Sequence, residues 1–228
     1  MTSLDAVFWG LLLAAFVTGG LVGALALRAR QRRRLVTLAP KMTMLQARYE
    51  MLAGASRRPC AVMLGDSLTA GVPWSEMTSC SGVANYGFNG DTSAGVLYRL
   101  NEIIRLRPRV VFLMIGANDI LKGVPPAETS ANVRAIVEEL QAEGIAMIVH
   151  PVLPFVDAGD RVAELNRSII LALAETQAKI VTLPIDIPDL RDGLHLGPSG
   201  AAKWHDTIKA LLEAHCSGHH APDAATSA

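Results

Sequence analysis

The chain has 228 residues, is 50% hydrophobic and 18% charged, and carries 21 basic against 21 acidic side chains. That length allows one sizeable domain with additional segments, and a neutral chain with one cluster of five arginines at 28–34 implies no nucleic-acid surface. The three cysteines, Cys60, Cys80 and Cys216, are odd in number and widely spaced, which predicts buried free thiols and argues against a disulfide framework or a zinc site.

Ala6 to Leu27 are 22 residues without a charge. As a helix this run extends about 33 Å, enough for a hydrocarbon core of about 30 Å. Asp5 and the lack of any Lys or Arg before it favour an uncleaved membrane anchor over a signal peptide. Arg28, Arg30, Arg32, Arg33 and Arg34 follow directly, and the positive-inside rule then predicts a cytoplasmic flank and cytoplasmic placement of the bulk of the chain, with periplasmic placement as the alternative. Over 35–58, Leu38, Met42, Leu45, Tyr49 and Leu52 recur at spacings of three and four, the pattern of a helical juxtamembrane connector interrupted early by Pro40.

From Pro59 short apolar runs alternate with helical stretches, as in βαβ units around a parallel sheet. Strands are expected at Ala61 to Leu64, Val83 to Tyr86, Val110 to Ile115, Ile145 to Val149 and Ile180 to Leu183. Helices are expected over Ser93 to Leu106, Ala127 to Glu143, Arg161 to Gln177 and Ser199 to His215. The organisation is therefore an anchor with its basic flank (1–34), a connector (35–58), one α/β domain (59–216) and a small, polar tail (217–228) expected to be disordered.

Gly65-Asp66-Ser67-Leu68 closes the first expected strand. Alone it fits either a strand-to-helix turn capped by Asp66 or Ser67 or a loop presenting a nucleophile, and partners elsewhere must decide. Asn85 to Thr92 follows the second strand, Gly116-Ala117-Asn118-Asp119 follows the third, and Asp192-Gly193-Leu194-His195 precedes the last helix. In a parallel sheet all strand carboxyl ends share one edge, so these pieces should converge. Ser67 needs a base to remove its proton, which His195 can supply, and Asp192 can hold the tautomer of that imidazole. The backbone N–H groups of Ser67 and Gly90 and the amide of Asn118 are candidate donors to the oxyanion.

In this order the four stretches resemble the blocks of the SGNH hydrolases, the GDSL-type lipases and esterases. Gly65-Asp66-Ser67-Leu68 is similar to the first block, Gly90 to the glycine of the second, Gly116-Ala117-Asn118-Asp119 to the third and Asp192-Gly193-Leu194-His195 to the last. The stretch from Asn85 to Leu100, including Tyr98-Arg99-Leu100, also resembles the acetylhydrolase, lysophospholipase and thioesterase branches. The resemblance implies a flavodoxin-like three-layer α/β/α sandwich with a five-stranded parallel sheet in the order 2-1-3-4-5. It further implies no metal or cofactor, and hydrolysis of a short to medium acyl ester or thioester through an acyl-serine intermediate. Thr69 breaks the Gly-x-Ser-x-Gly pattern, which argues against other α/β-hydrolases.

Cleft walls are expected from Val72 to Trp74, Leu121 to Pro126 and Leu153 to Val156, with Trp74, His150 and Leu153 as substrate contacts. Asp66 and Asp119 should brace loops through backbone hydrogen bonds. Asp189 and His205 rank below Asp192 and His195, and His215, Cys216, His219 and His220 form a metal cluster only on paper. The expected partners are a small acyl-ester or lipid substrate and the membrane, with no obligate protein partner. The competing functions are O-acetyl hydrolysis or acyl transfer on a glycan, and a non-catalytic binding module.

Overall fold

A computed structural model describes residues 59–78 and 82–217. The expected membrane segment, the connector, Cys80 and the tail beyond Ser217 lie outside the described residues. No helix among those described is long and apolar enough to cross a membrane.

The architecture follows from two kinds of apolar pattern. β1 (Ala61–Gly65) and β3 (Val110–Met114) are buried at every position, as strands covered on both faces must be. β2 (Val83–Gly87), β4 (Ala146–Val149) and β5 (Lys179–Ile180) complete a parallel sheet in the order β2-β1-β3-β4-β5. The last expected strand, Ile180 to Leu183, is observed as Lys179–Ile180, followed by the Val181 N–H donating to Val149 O of β4 at 3.0 Å.

The helices carry stripes at three and four residues. α1 (Ser67–Ala70) and α2 (Trp74–Met77) follow β1, α3 (Ser93–Tyr98) and α4 (Leu100–Leu106) follow β2, and α5 (Ala117–Leu121) and α6 (Pro126–Ala142) follow β3. α7 (Arg161–Ala172) and α8 (Pro198–Cys216) complete the layers, with a 3-10 turn at Ile187–Asp189. α6 buries Val133, Ile136, Val137 and Leu140 and packs against α3, α7 and β4. α8 buries Gly200, Trp204, Ile208, Leu212 and Cys216, one residue per turn, and lies against β1. The stretch expected as one helix over Ser93 to Leu106 is two, broken at Arg99, whose backbone (φ −101, ψ 11) leaves the helical region.

The cysteine expectation is corrected by this packing. Cys60 enters β1, and the buried stripe of α8 ends on Cys216, so the two Cα atoms come within 5.6 Å and the sulfurs are bonded. The bridge joins the two ends of the domain across 156 residues. A spacing that long carries no local signal; only the return of α8 onto β1 brings the partners together.

The register places the functional edge. Gly65 stands level with Gly87 on one side and Met114 on the other, so the loops leaving β1, β2 and β3 begin at the same height. A Cβ on Gly87 would sit 2.2 Å from the backbone nitrogen of Ala70, so glycine there lets α1 lie directly over the end of β2.

Candidate active site

Ser67 is the first residue of α1, half-buried at the end of β1, with its loop fixed by the Asp66 carboxylate accepting from Leu68 N–H at 2.9 Å. Ser67 Oγ lies 3.1 Å from His195 Nε2, and His195 Nδ1 lies 2.8 Å from Asp192 Oδ2. The second Asp192 oxygen accepts the backbone N–H groups of Leu194 (3.1 Å) and His195 (2.7 Å). A carboxylate accepts, so the ring proton is on Nδ1 and the Nε2 lone pair faces the serine hydroxyl. The His195 N–H, then its ring, then the Leu194 N–H hold the Asp192 carboxyl well below the usual carboxylate range. The loop itself is clamped by an antiparallel bridge between Leu190 and Leu196 and by the Val156 N–H donating to Gly193 O at 2.8 Å.

The donors expected at the oxyanion come from the three loops that leave adjacent strands in step. Gly90 is exposed and has φ +70, and a Cβ there would meet nothing within 4 Å, so backbone conformation, not crowding, explains the glycine. Its carbonyl accepts from Lys122 Nζ at 2.8 Å. Asn118, in the first turn of α5, donates its side-chain amide to Asp66 Oδ2 at 3.4 Å, tying the third loop to the first. Asp119 accepts from the Ser93 N–H and hydroxyl (3.0 and 2.6 Å) and from the Thr129 hydroxyl, while Asn132 donates to Ser93 Oγ at 3.0 Å. Burial raises both Asp119 and Asp66, the latter to about 7 with Asp91 and Asp119 adding repulsion.

The model of the GDSL-like lipase/acylhydrolase family matches residues 63–203, a span that contains every one of these groups. The chain belongs to that family. It is 31% identical over 146 residues to the esterase TesA of Pseudomonas aeruginosa, covering 57% of this chain and 71% of that protein. It is 33% identical over 96 residues to the thioesterase 1/protease 1/lysophospholipase L1 of Escherichia coli, covering 36% and 45%. Among solved structures, a GDSL-like lipase from Bacteroides thetaiotaomicron superposes with a TM-score of 0.63 at 23% identity, over 73% of this chain and 97% of that one, a likeness of fold. Membership makes the chain an ester-hydrolysing enzyme.

Not every expected residue of this GDSL hydrolase stands at the site. Trp74, His150 and Leu153 are 1%, 1% and 4% exposed and sit in the core, so the expectation of an open wall at these positions is corrected. Trp74 donates its indole N–H to Thr69 O and meets Trp204 edge to face; His150 donates Nδ1–H to Val181 O and stacks on Phe112. Burial lowers His150 to about 4, so it is a neutral packing residue. Asp189 accepts from Lys203, Ser199 and the Asp186 N–H and is held at about 2, chiefly by the Lys203 ammonium; it braces the start of α8. His205 faces Asp206, and Cys216 is taken by the bridge. No cluster of three metal-ligating side chains occurs among the described residues.

Sequence reasoning missed Arg99, Ser93, Lys122, Thr129 and Asn132. Arg99 left no signal of its own, because Glu102 and Arg105 are charges in the same expected helix and neither is buried. The others are ordinary polar residues whose roles depend on contacts across 10 to 39 residues.

Proposed function

We propose that the chain is a serine esterase that cleaves short to medium acyl esters through an acyl-enzyme on Ser67. Ser67 Oγ attacks the carbonyl carbon as its proton passes to His195 Nε2, and Asp192 stabilises the imidazolium without itself taking the proton. The tetrahedral oxyanion is received by the N–H groups of Ser67 and Gly90 and the Asn118 amide. Collapse expels the alcohol, which takes the proton from His195; water then repeats the sequence and releases the acid. The observation that carries this reading is the Ser67–His195–Asp192 relay at 3.1 and 2.8 Å.

The acyl group is proposed to lie across Leu121 and Val156, 52% and 49% exposed. Leu121 stands one turn beyond Asn118 on α5, and Val156 packs on Gly193 of the His195 loop. The lysophospholipase and thioesterase activities in the name of the Escherichia coli relative extend this reading to lysophospholipid and thioester substrates. Anchoring through Ala6 to Leu27 would favour substrates drawn from the bilayer.

Two observations bear on which side of the membrane the domain occupies, and they disagree. The five arginines predict the cytoplasm, whereas a Cys60–Cys216 bridge does not persist among reduced cytosolic thiols. We propose the oxidising side, because the bridge bears on the domain itself and the arginines only on its flank. That placement also favours a second reading, O-deacetylation of an envelope glycan.

Hydrolysis of p-nitrophenyl esters from acetyl to dodecanoyl by the wild type and Ser67→Ala tests the proposal. Turnover that rises beyond acetyl and vanishes in Ser67→Ala is expected. Acetyl-only turnover moves the reading to glycan esters, and retained turnover in Ser67→Ala removes the serine mechanism.

A further inference from the structure

One guanidinium lies beneath two of the three loops that carry the oxyanion donors. Arg99 is 3% exposed and occupies the break between α3 and α4. Its Nε donates to Asp91 Oδ2 at 2.9 Å, and its Nη2 donates to Gly65 O at 3.2 Å and to Tyr86 O at 3.1 Å. Its Cζ lies over the Phe88 ring, 4.6 Å from the ring centre. Gly65 is the last residue of β1 and Tyr86 the last but one of β2. Phe88 and Asp91 bracket the turn that holds Gly90, a turn closed by the Asp91 N–H on Phe88 O and tied back by the Phe88 N–H on Gly65 O. Room for the Asp91 carboxylate comes from Gly95, where a Cβ would sit 2.0 Å from Oδ1.

We propose that Arg99 is a positioning residue for the oxyanion hole, setting the Gly90 N–H relative to the Ser67 N–H. The proposal rests on the serine mechanism above. Gly90 is exposed and left-handed, and its carbonyl is held only from the surface, by the exposed Lys122 ammonium. Its position is therefore inherited from its neighbours Phe88 and Asp91, and both are held by the same guanidinium that grips the carbonyl two residues before Ser67. A planar fork reaches the carboxylate and both carbonyls together. An ammonium pairs with Asp91 but is a point charge that cannot span the three acceptors. An N–H displaced from the oxyanion weakens only the transition state, so kcat should fall while KM holds.

The test compares wild type, Arg99→Lys and the charge-free pair Arg99→Met with Asp91→Asn in the full chain. Active sites are counted by fluorophosphonate labelling, and p-nitrophenyl acetate kinetics and thermal unfolding are measured together. The double variant removes both members of the buried ion pair, so it folds where a lone Asp91 charge would not. The expected result is a kcat per labelled site reduced about 10- to 100-fold in both variants, with KM within about threefold and the double variant regaining the melting temperature. A double variant with wild-type kcat, or an Arg99→Lys protein equal to wild type per labelled site, would make Arg99 a stability element and overturn the proposal. Failure of wild-type label to land on Ser67 is a separate result, and it removes the underlying mechanism instead.

Discussion

Asp66→Asn is predicted to stabilise the domain at alkaline pH and to disable it as a catalyst. Asp66 is 1% exposed, and burial raises its pKa from 3.8 to about 7. Between those values the folded state binds a proton that the unfolded state has released. Its contribution is therefore complete below pH 3.8 and lost as pH rises through about 7. With these pKa values the loss amounts to roughly 2.7 kcal/mol between about pH 5 and about pH 8. Asparagine does not titrate, and its oxygen can still accept from Leu68 N–H, so the variant should gain about that much on the wild type across the interval. Activity moves the other way. The new amide would face the Asn118 amide, now 3.4 Å from Asp66 Oδ2. Two donors cannot pair, so Asn118 must turn, presenting an oxygen where the oxyanion needs an N–H, at a cost of about 10²- to 10³-fold in kcat. Urea unfolding at several pH values, paired with ester kinetics, measures both. A stability difference that does not change with pH would remove the raised Asp66 titration, and an unchanged kcat would remove its hold on Asn118.

Asp192→Asn should leave the fold intact and lower kcat by about 10³- to 10⁴-fold, because an amide can favour the wrong His195 tautomer; steady-state kinetics with a melting curve checks it. Cys60→Ser with Cys216→Ser should lower stability by up to ~5 kcal/mol by the loop-entropy model for a bridge spanning 156 residues. Thiol trapping in intact cells should find the native pair unreactive until reduced; two free thiols would return the domain to the cytoplasm. His150→Phe should keep kcat within about threefold, since His150 packs against Phe112 and Trp204 inside the core; a collapse of kcat in a folded variant would restore it to the substrate.

Much of this was legible because the strands are continuous apolar runs: the expected Ala61 to Leu64 and Val110 to Ile115 needed only length and composition, and they fall on Ala61–Gly65 and Val110–Met114. The triad was legible because Asp192 and His195 are local to each other and the carboxyl edge of a parallel sheet gathers the remaining loops. Long-range pairings were not. Arg99 read as part of one helix because nothing in its neighbours announces the carbonyls of Gly65 and Tyr86. Cys60 and Cys216 read as separate thiols because only the packing of α8 brings them together. His150 failed for a different reason: a strand-end histidine points either to the edge or to the core, and the choice depends on Trp204, which lies 54 residues later in sequence.

In the proposed mechanism Ser67 alone carries the acyl group. Peptide mass spectrometry of the full chain after fluorophosphonate treatment tests this most directly. A single adduct on Ser67 is expected, and it should fail to form in His195→Ala at the same reagent concentration. An adduct on another side chain, or full labelling without His195, would contradict it.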